Sequence, residues 1–479
     1  MNLFARLFVA ASTGSEGLAR LASAAASAVG ATVMSIAGVF RAVDRRAAAG
    51  QGSPGIPDRQ ATIDGDAGNP DPWLTDPGVW TAARLKETLR THLTGQRVLV
   101  VANREPLIHD WSDGRIVERH PASGLVTALE PVMRACSGVW IAHGSGTADQ
   151  EAADPHGRVA IPTQHASYSL RRVWLTPGEE RGYYYGFSNE ALWPLCHLAA
   201  AQPVFRREDW AHYQTVNQRF ADAVSLEADS DEPIVLVQDY HFALVPRMVR
   251  ERFPRATILT FWHIPWPNAE RFTICPYQDC LLDGLLGSSI VGFQTPLHCH
   301  NFLESVDRSL EARVTRDEMS VVRGGWTTAV RAYPISVEWP NRWLTALPSV
   351  EQCRRDVLAE HGLPADTRII ASVDRLDYTK GIEERLQTLE RVLERWTDPN
   401  HGLAIIQVAA PSRTDIDQYR AFGDRVREQV DRINARLADA GRAPLVFLNR
   451  HVEPPEIARL YRAADVCYVS SLHDGMNLV

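Results

Sequence analysis

Six short apolar runs along the chain end directly in clusters of charged, aromatic or glycine residues. The stretches are VLVVANRE, IVLVQDYH, ILTFWHIPWP, IIASVDRLDYTKG, LAIIQVAAPSR and VCYVSSLHDGMN. Continuous Val, Ile and Leu runs are typical of parallel strands buried on both faces. In open α/β sheets, ligands bind outside the carboxyl ends of such strands. The pattern therefore predicts an enzyme with a substrate crevice at these strand ends.

Helical stretches alternate with the strands from Gln96 onward, for example from Leu285 to Leu310 and from Glu383 to Arg395. This alternation predicts an α/β fold of doubly wound, Rossmann-like units. Prolines interrupt the pattern around residues 334–340, and it restarts near residue 368, so we expect a domain boundary between roughly residues 338 and 362. The expected domains cover residues 96–340 and 341–479 and face each other across a cleft.

Residues 1–95 differ from the rest and are interpreted as an Ala-rich extension followed by a Pro/Gly linker. Leu21 to Phe40 carries no charge but is mostly Ala, Ser and Gly, which favours an interfacial or partner-binding helix over a membrane span. Membrane contact by this extension is therefore not favoured. The beginning of the chain lacks the compact apolar core of a secretory signal, so we expect a cytoplasmic protein.

The composition is that of an ordinary soluble chain of 479 residues, with 45% apolar and 23% charged residues. A net charge of -8 argues against a general nucleic-acid surface, so any anion must be bound by local positive charge. The seven cysteines form no CxxC pair and show no zinc-like spacing, which predicts buried thiols in a reducing compartment, no disulfide framework and no metal site.

Local positive charge follows the run IIASVD, where Arg375 and Lys380 stand between a predicted strand and a predicted helix. Two fixed cations beside the first N–H groups of a helix could clamp a diphosphate and offset charge on a departing nucleotide. The alternative is a surface ion-pair cluster with Asp374 and Asp377.

Three further sites combine a strand end with polar or aromatic chemistry. Asp239 ends a buried strand, where an unsatisfied carboxylate is costly, which favours a functional role. Asp474 lies beside a glycine and could accept hydrogen bonds from sugar hydroxyls, although it could also simply cap a helix. His263 also follows a strand, where a lone histidine is often only a hydrogen-bonded structural residue.

Taken together, the motifs resemble the trehalose-6-phosphate synthase family from about Val98 to Val479. The matching stretches, in the family's order, are VVANRE, SGLVTALEPV, YYYGFSNEALWPLCH, QDYHFALVPRM, HIPWPNAERF, GLLGSSIVGFQT, YPISVEW, VDRLDYTKG, APSR and ADVCYVSSLHDGMNLV. The resemblance implies two facing Rossmann-like domains of the GT-B type. It also implies transfer of glucose from UDP-glucose to glucose 6-phosphate, with retention and release of UDP, and no cofactor or bound metal.

Carried over by position, the resemblance implies a role for each matching residue. Those implied to be catalytic are His263, Asp239, Arg375 and Lys380. Those implied to bind the donor are Gly124, Arg375, Lys380, Asp474, Met476, Asn477 and Leu478, and those implied to bind the acceptor are Arg104, Tyr184, Trp193 and Asp239. Independently, aromatic faces suit a sugar and the forked Arg104 suits a phosphate, while core or rim packing is the alternative for Tyr184 and Trp193.

Four departures from the family pattern accompany the resemblance. The first loop has Ser123-Gly124 in place of two glycines, and His143 followed by Gly144 stands where a tryptophan is common. Ala329 takes the register of the basic residue before the YPI motif, with Arg331 two residues on. The chain ends at Val479, where the family continues into a helix with a ribose-binding glutamate, so a fragment or truncated second domain is expected.

These departures leave alternatives open. A related enzyme that uses glycerol 3-phosphate to make glucosylglycerol phosphate is one, and a catalytically silent sugar-phosphate-binding relative is another. The sequence does not distinguish UDP- from ADP- or GDP-glucose. The expected partners are small-molecule substrates, without nucleic acid, and homo-oligomerisation is open.

Overall fold

A computed structural model describes Glu87 and residues 97–121, 124–162, 167–198, 201–335, 342–395, 402–439 and 445–479. Apart from Glu87, the predicted extension and linker up to residue 95 lie outside the described residues. Within the described part, no helix is both long and apolar enough to cross a membrane.

Sixteen strands are described, numbered along the chain. They are β1 (Val98–Val101), β2 (Ile108–Ser112), β3 (Arg115–Arg119), β4 (Val139–His143), β5 (Arg158–Ile161), β6 (Tyr168–Val173), β7 (Ile234–Gln238), β8 (Thr257–Phe261), β9 (Ile290–Phe293), β10 (Arg313–Thr315), β11 (Ser320–Arg323), β12 (Trp326–Ala332), β13 (Arg368–Arg375), β14 (Leu403–Ala410), β15 (Leu445–Leu448) and β16 (Val466–Cys467).

The strands form two large sheets and a separate hairpin of β2 and β3. The first sheet has ten strands in the order β10-β11-β12-β9-β8-β7-β1-β4-β6-β5, parallel from β12 to β6 with antiparallel strands at each edge. The second has the order β15-β14-β13-β16 and is wholly parallel.

Helices cover the faces of both sheets. They are α1 (Gly124–Cys136), α2 (Asp149–Ala152), α3 (Pro177–Glu180), α4 (Trp193–Cys196), α5 (Arg207–Glu227), α6 (Val245–Arg252), α7 (Ala269–Phe272), α8 (Gln278–Leu285), α9 (Pro296–Ser309), α10 (Arg342–Thr345), α11 (Val350–Glu360), α12 (Ile382–Arg395), α13 (Asp417–Asp439) and α14 (Pro454–Ala463). A π-helix runs from Arg181 to Leu192, and 3₁₀ turns occur at Tyr240–Phe242 and Tyr378–Lys380.

Each sheet is buried on both faces because its strands carry apolar residues at successive positions. In β1, Leu99 and Val101 belong to one apolar cluster, whereas Val98 and Val100 belong to the cluster on the opposite face. Alternate residues of a strand point to opposite faces, so a continuous apolar run is needed for a sheet covered twice. The second sheet likewise separates two apolar clusters.

All six predicted strands are present, as β1, β7, β8, β13, β14 and β16. The prediction of burial is wrong for β16, because it is short and both of its residues are exposed. The predicted helix from Glu383 to Arg395 is confirmed by α12. The predicted helix from Leu285 to Leu310 is wrong over its first part, because Ile290–Phe293 pairs with β8 and β12 as the buried strand β9. A four-residue apolar run does not by periodicity alone distinguish a buried strand from a helix.

The expected division near residue 340 stays a prediction, since residues 336–341 lie outside the described residues. The packing of the residues that follow this expected boundary is compatible with a separate second domain. Val357 and Leu358 of α11 share an apolar cluster with Leu460 of α14 beside the second sheet. The guanidinium of Arg354 donates to the carbonyl of Ala463 at 3.1 Å.

Candidate functional site

Asp239 stands where β7 ends, in a backbone conformation that is rare for a residue with a side chain. Its φ is +71°. The Oδ1 atom accepts from the backbone N–H groups of Tyr240 at 3.0 Å and His263 at 3.1 Å, which joins the ends of β7 and β8. Burial raises the pKa of this carboxyl to about 7, against the lowering effect of those N–H groups and of Arg413. Backbone strain and a shifted pKa at one strand end favour a functional role.

His263 follows β8 and is neutral at physiological pH, because burial lowers its pKa to about 3. Its Nε2 lies 3.0 Å from Oε1 of Gln238. This contact ties the ring to the end of β7. A neutral imidazole held in this way is suited to positioning a ligand rather than to donating a proton.

Tyr184 is half-buried on the π-helix and lies among three arginines. Its ring stacks on His241 with centroids 5.6 Å apart and planes 11° apart. Burial acts to raise the pKa of Tyr184, but Arg104, Arg413 and Arg375 together lower it below the usual tyrosine value. The sequence-predicted Arg104 and Arg375 therefore converge on the sequence-predicted Tyr184, although they belong to different sheets.

Trp193 is 6% exposed and begins α4. The Arg413 guanidinium lies 3.8 Å from its ring centroid, and His197 stacks on it at 4.0 Å. The predicted flat face for a sugar is thus occupied by protein groups here, and its Nε1 has no hydrogen-bond partner among the described residues. The sugar-stacking role of Trp193 stays a prediction.

Arg104 follows β1 and is exposed, while its own carbonyl is fixed by a 3.0 Å hydrogen bond from the Trp140 indole. The next residue, Glu105, is buried and pairs with the fully buried Arg172 at 2.9 Å. A buried ion pair directly after Arg104 holds the backbone of this loop while leaving the Arg104 side chain free to reach solvent.

Arg375 and Lys380 occupy the end of β13 and the following turn, as predicted. The Arg375 side chain is 45% exposed and lies 3.7 Å from Asp377, with its guanidinium 5.6 Å from the Trp193 ring centroid. Lys380 forms an ion pair with Asp474. The alternative surface cluster holds only in part, because Asp374 pairs instead with the buried Arg385 at 2.7 Å.

The carboxyl-terminal loop after β16 contacts the first sheet closely. A Cβ on Gly475 would lie 2.2 Å from the His263 carbonyl oxygen, so a glycine is required for this approach. Asn477 donates from Nδ2 to Ser471 at 2.9 Å and accepts from the Val479 N–H, while Leu478 is exposed and Met476 half-buried. The structure thus brings Asp474 and His263 to the same region.

Gly124 begins α1, and Ser123 beside it lies outside the described residues. The predicted loop over the donor is therefore untested. Two other departures have definite surroundings. His143 lies 3.2 Å from the Val173 carbonyl and 3.8 Å from Glu180, and Arg331 donates to the carbonyls of residues 318, 319 and 330. Arg331 is thus engaged in backbone contacts.

Arg413 was missed by the sequence analysis, although it ends the quoted stretch APSR. It follows β14 with a φ of +50°. Its guanidinium donates to Asp377 at 3.3 Å, to Tyr240 at 3.3 Å and to the Tyr419 hydroxyl. The available signal was its place after the strand that pairs directly with β13, which puts a second arginine at the same sheet edge as Arg375.

Within the described residues, no group of three or more His, Cys, Asp or Glu side chains is arranged to hold a metal ion. The cysteines at 136, 196, 275, 280, 299, 353 and 467 are all unpaired. The prediction of buried thiols is wrong for Cys280 and Cys467, which are exposed.

The chain matches a family model and is similar to known proteins. The model of glycosyltransferase family 20 matches residues 96–479. The trehalose-6-phosphate synthase of Mycolicibacterium vanbaalenii is 36% identical over 394 residues, which cover 80% of this chain and 79% of the relative.

Two solved structures resemble the chain over most of its length. One is from E. coli bound with UDP-2-fluoro glucose, at 28% identity and a TM-score of 0.67, covering 80% of each chain. The other is a UDP-forming α,α-trehalose-phosphate synthase from Burkholderia xenovorans in complex with glucose-6-phosphate. It is 26% identical, with a TM-score of 0.67 and 80% of each chain covered.

Proposed function

Since the chain belongs to glycosyltransferase family 20, we propose that it transfers glucose from UDP-glucose to glucose 6-phosphate. The products are UDP and α,α-trehalose 6-phosphate, and the donor carbon keeps its configuration. The proposal is supported by the relative from Mycolicibacterium vanbaalenii and by the solved structures with a UDP-sugar analogue and with glucose-6-phosphate.

The observation that carries the proposal is the convergence of positive charge from both sheets on one group of aromatic rings. Arg104 comes from the first sheet, and Arg375 and Arg413 come from the second; all three lower the pKa of Tyr184. The reaction brings together a phosphate monoester and a diphosphate, and forked guanidinium groups suit both.

On the donor side, we assign Arg375 and Lys380 to the diphosphate, with Gly124 in the loop next to it. Lys380 is 13% exposed, so its charge is poorly screened by solvent and acts strongly on a nearby anion. Asp474 and the backbone of residues 476–478 would then hold the glucose.

On the acceptor side, we assign Arg104 to the phosphate, and Tyr184, Trp193 and Asp239 to the sugar. Asp239 is fixed by two backbone N–H groups through one oxygen. A carboxylate so restrained can still accept from sugar hydroxyls through its remaining lone pairs.

The chemistry we infer is a front-face substitution. The C–O bond between glucose and the diphosphate breaks, the acceptor hydroxyl oxygen forms a bond to the same carbon from the same side, and its proton passes to the departing phosphate oxygen. Arg375 and Lys380 offset the charge on that leaving group. The neutral imidazole of His263 holds the donor glucose, and Asp239 holds the acceptor sugar. We also propose that the protein works without a cofactor or bound metal, in the cytoplasm, where unpaired cysteines persist.

The direct test measures UDP release from UDP-glucose by the purified chain, with glucose 6-phosphate, with glycerol 3-phosphate, and with neither. We expect release that depends on glucose 6-phosphate, and a product that a trehalose-6-phosphate phosphatase converts to trehalose. Release of UDP with glycerol 3-phosphate but not with glucose 6-phosphate, or no release with either acceptor, would overturn the proposal.

A further inference from the structure

The buried amide of Asn189 connects two tyrosines of the site, Tyr184 and Tyr240. Asn189 lies on the π-helix and is 1% exposed. Its Nδ2 donates to the carbonyl oxygen of Tyr184 at 2.8 Å, and its Oδ1 accepts from the hydroxyl of Tyr240 at 2.8 Å. Neither the motifs nor the reaction described above assigns a role to this residue.

The protons that each group carries determine the direction of the hydrogen bonds around Asn189. Arg413 donates from Nη2 to the Tyr240 hydroxyl oxygen at 3.3 Å, and a guanidinium has no acceptor atom. The single proton of that hydroxyl is therefore free to point at Asn189. Burial keeps the pKa of Tyr240 far above its usual value, so the proton is retained. The amide oxygen of Asn189 then faces Tyr240, and its NH₂ group faces Tyr184.

The same contacts continue into the second sheet. Arg413 donates to Oδ2 of Asp377 at 3.3 Å, and Oδ1 of Asp377 accepts from the Thr379 N–H at 3.0 Å in the turn that carries Lys380. Both Asp377 and Asn189 are buried, so water does not compete for these bonds. A continuous hydrogen-bonded series thus runs from Tyr184 to the turn of Lys380.

We propose that Asn189 is a positioning residue that sets Tyr184 and, through the Tyr240 hydroxyl, Arg413 for the acceptor glucose 6-phosphate. The inference rests on the proposed function, because it names the acceptor of that reaction. Asn189 itself does not touch a reacting atom. Its amide serves both neighbours, since it supplies a donor to the Tyr184 carbonyl and an acceptor to the Tyr240 hydroxyl.

The test is Asn189→Asp, which keeps the shape of the side chain but replaces the NH₂ donor with an acceptor when ionised. Above neutral pH the carboxylate still accepts from Tyr240 but repels the Tyr184 carbonyl. We expect the KM for glucose 6-phosphate to rise about tenfold at pH 8, with the Kd for UDP within about twofold of the parent chain. At pH 6 the buried carboxyl group is protonated and donates to the Tyr184 carbonyl. The ratio of the variant's KM to that of the parent chain therefore falls toward one.

Asn434→Asp is the matched control. Asn434 also donates to a backbone carbonyl and accepts from a backbone N–H, both of Leu445, at 3.0 and 2.8 Å. It joins α13 to β15, away from Tyr184. We expect Asn434→Asp to lower the midpoint of thermal unfolding. Its KM for glucose 6-phosphate should stay close to that of the parent chain at both pH values.

Tyr240→Phe provides a second variant should Asn189→Asp fold poorly, because it removes only the hydroxyl. We expect it to raise the acceptor KM, and the double variant to be no more than about twofold worse than the more severe single variant, as for groups acting in series. If the parent chain is active but Asn189→Asp and Tyr240→Phe keep its acceptor KM, or if their effects add fully, this inference alone is wrong. If the parent chain releases no UDP with glucose 6-phosphate, the proposed function fails, and the inference with it.

Discussion

Arg375 and Arg368 stand at opposite ends of the same strand with similar exposure, 45% and 46%, but with different surroundings. Arg375 faces the site, whereas Arg368 pairs with Asp465 at 2.8 Å. Loss of a charge-assisted contact costs about 1.5–3 kcal/mol. We therefore expect Arg375→Ala to lower kcat/KM by about ten- to a hundredfold, since each 1.4 kcal/mol is tenfold.

Arg368→Ala is the control for this prediction, with an expected kcat/KM within about twofold of the parent chain. The measurement is steady-state UDP release over a range of UDP-glucose concentrations. Equal kinetics for the two variants would remove Arg375 from the site.

Asp239 gives a pH dependence of stability with a definite sign. Its pKa is raised from the usual 3.8 to about 7 in the folded protein, so between those values the folded protein binds this proton more tightly than the unfolded chain does. Stability from this group is therefore present at low pH and lost as pH rises through about 7, with a slope of at most about 1.4 kcal/mol per pH unit.

Asp239→Asn removes this titration and keeps an oxygen that accepts the two backbone N–H bonds. We expect the free energy of unfolding of the variant, relative to the parent chain, to increase from pH 4.5 to pH 7.5 in urea titrations. A constant difference would mean that the carboxyl titrates normally in the folded state.

Candidate functional residues were predictable where they stand directly after a strand. Arg104, Asp239, His263 and Arg375 all stand at strand ends, as the sequence pattern indicated. Arg413 was missed because its stretch was matched as a motif without a role. Its contacts with Tyr240 and Trp193 depend on how the two sheets face each other. Sequence periodicity does not report that arrangement.

At the level of elements, the π-helix from Arg181 to Leu192 depends on glycines for its packing against α5. A Cβ on Gly186 would lie 2.4 to 2.7 Å from the Asp209 carboxylate. We expect Gly186→Ala to lower the free energy of unfolding by about 1–3 kcal/mol, because overpacking forces its neighbours to shift. It should also raise the acceptor KM, since Tyr184 lies half a turn away.

Gly178→Ala in the adjoining helix α3 is the matched control. Nothing lies within 4 Å of a Cβ at Gly178, so the substitution should be neutral or stabilising by up to about 1 kcal/mol. Chemical denaturation of both variants is the measurement. Similar stabilities would show that the contact with Asp209 relaxes without cost.

The strands were predictable at this scale where an apolar run ends directly in a cluster of charged, aromatic or glycine residues. The six runs became strands, and Glu383 to Arg395 became a helix. Strand β9 escaped prediction because its four residues, Ile290–Phe293, lie between two helices and were included in the helical stretch from Leu285 to Leu310. The π-helix was equally hidden, since an i to i+5 hydrogen-bond pattern differs from an α-helix by too little to show in one sequence.

At the level of the whole molecule, the two sheets contact each other through polar groups of the site. The Leu198 N–H donates to Nδ1 of His473 at 3.2 Å, and Tyr240 accepts from Arg413. The family was predictable because many motifs occur in one order along the chain, and their match to glycosyltransferase family 20 confirms it. The side-chain arrangement across the cleft was not, since each contact joins residues that are far apart in sequence.

The ion pair of Lys380 with Asp474 gives the site its own counter-ion. Under the proposed assignment of Lys380 to the diphosphate and Asp474 to the glucose, the entry of a nucleotide sugar is an exchange of partners and not the desolvation of two bare charges, because each side chain already satisfies the other. In that proposal the diphosphate takes Lys380, and the carboxylate released from it becomes an acceptor for the hydroxyls of the sugar that arrives with it. The proposal therefore links recognition of the two halves of one substrate in a single step.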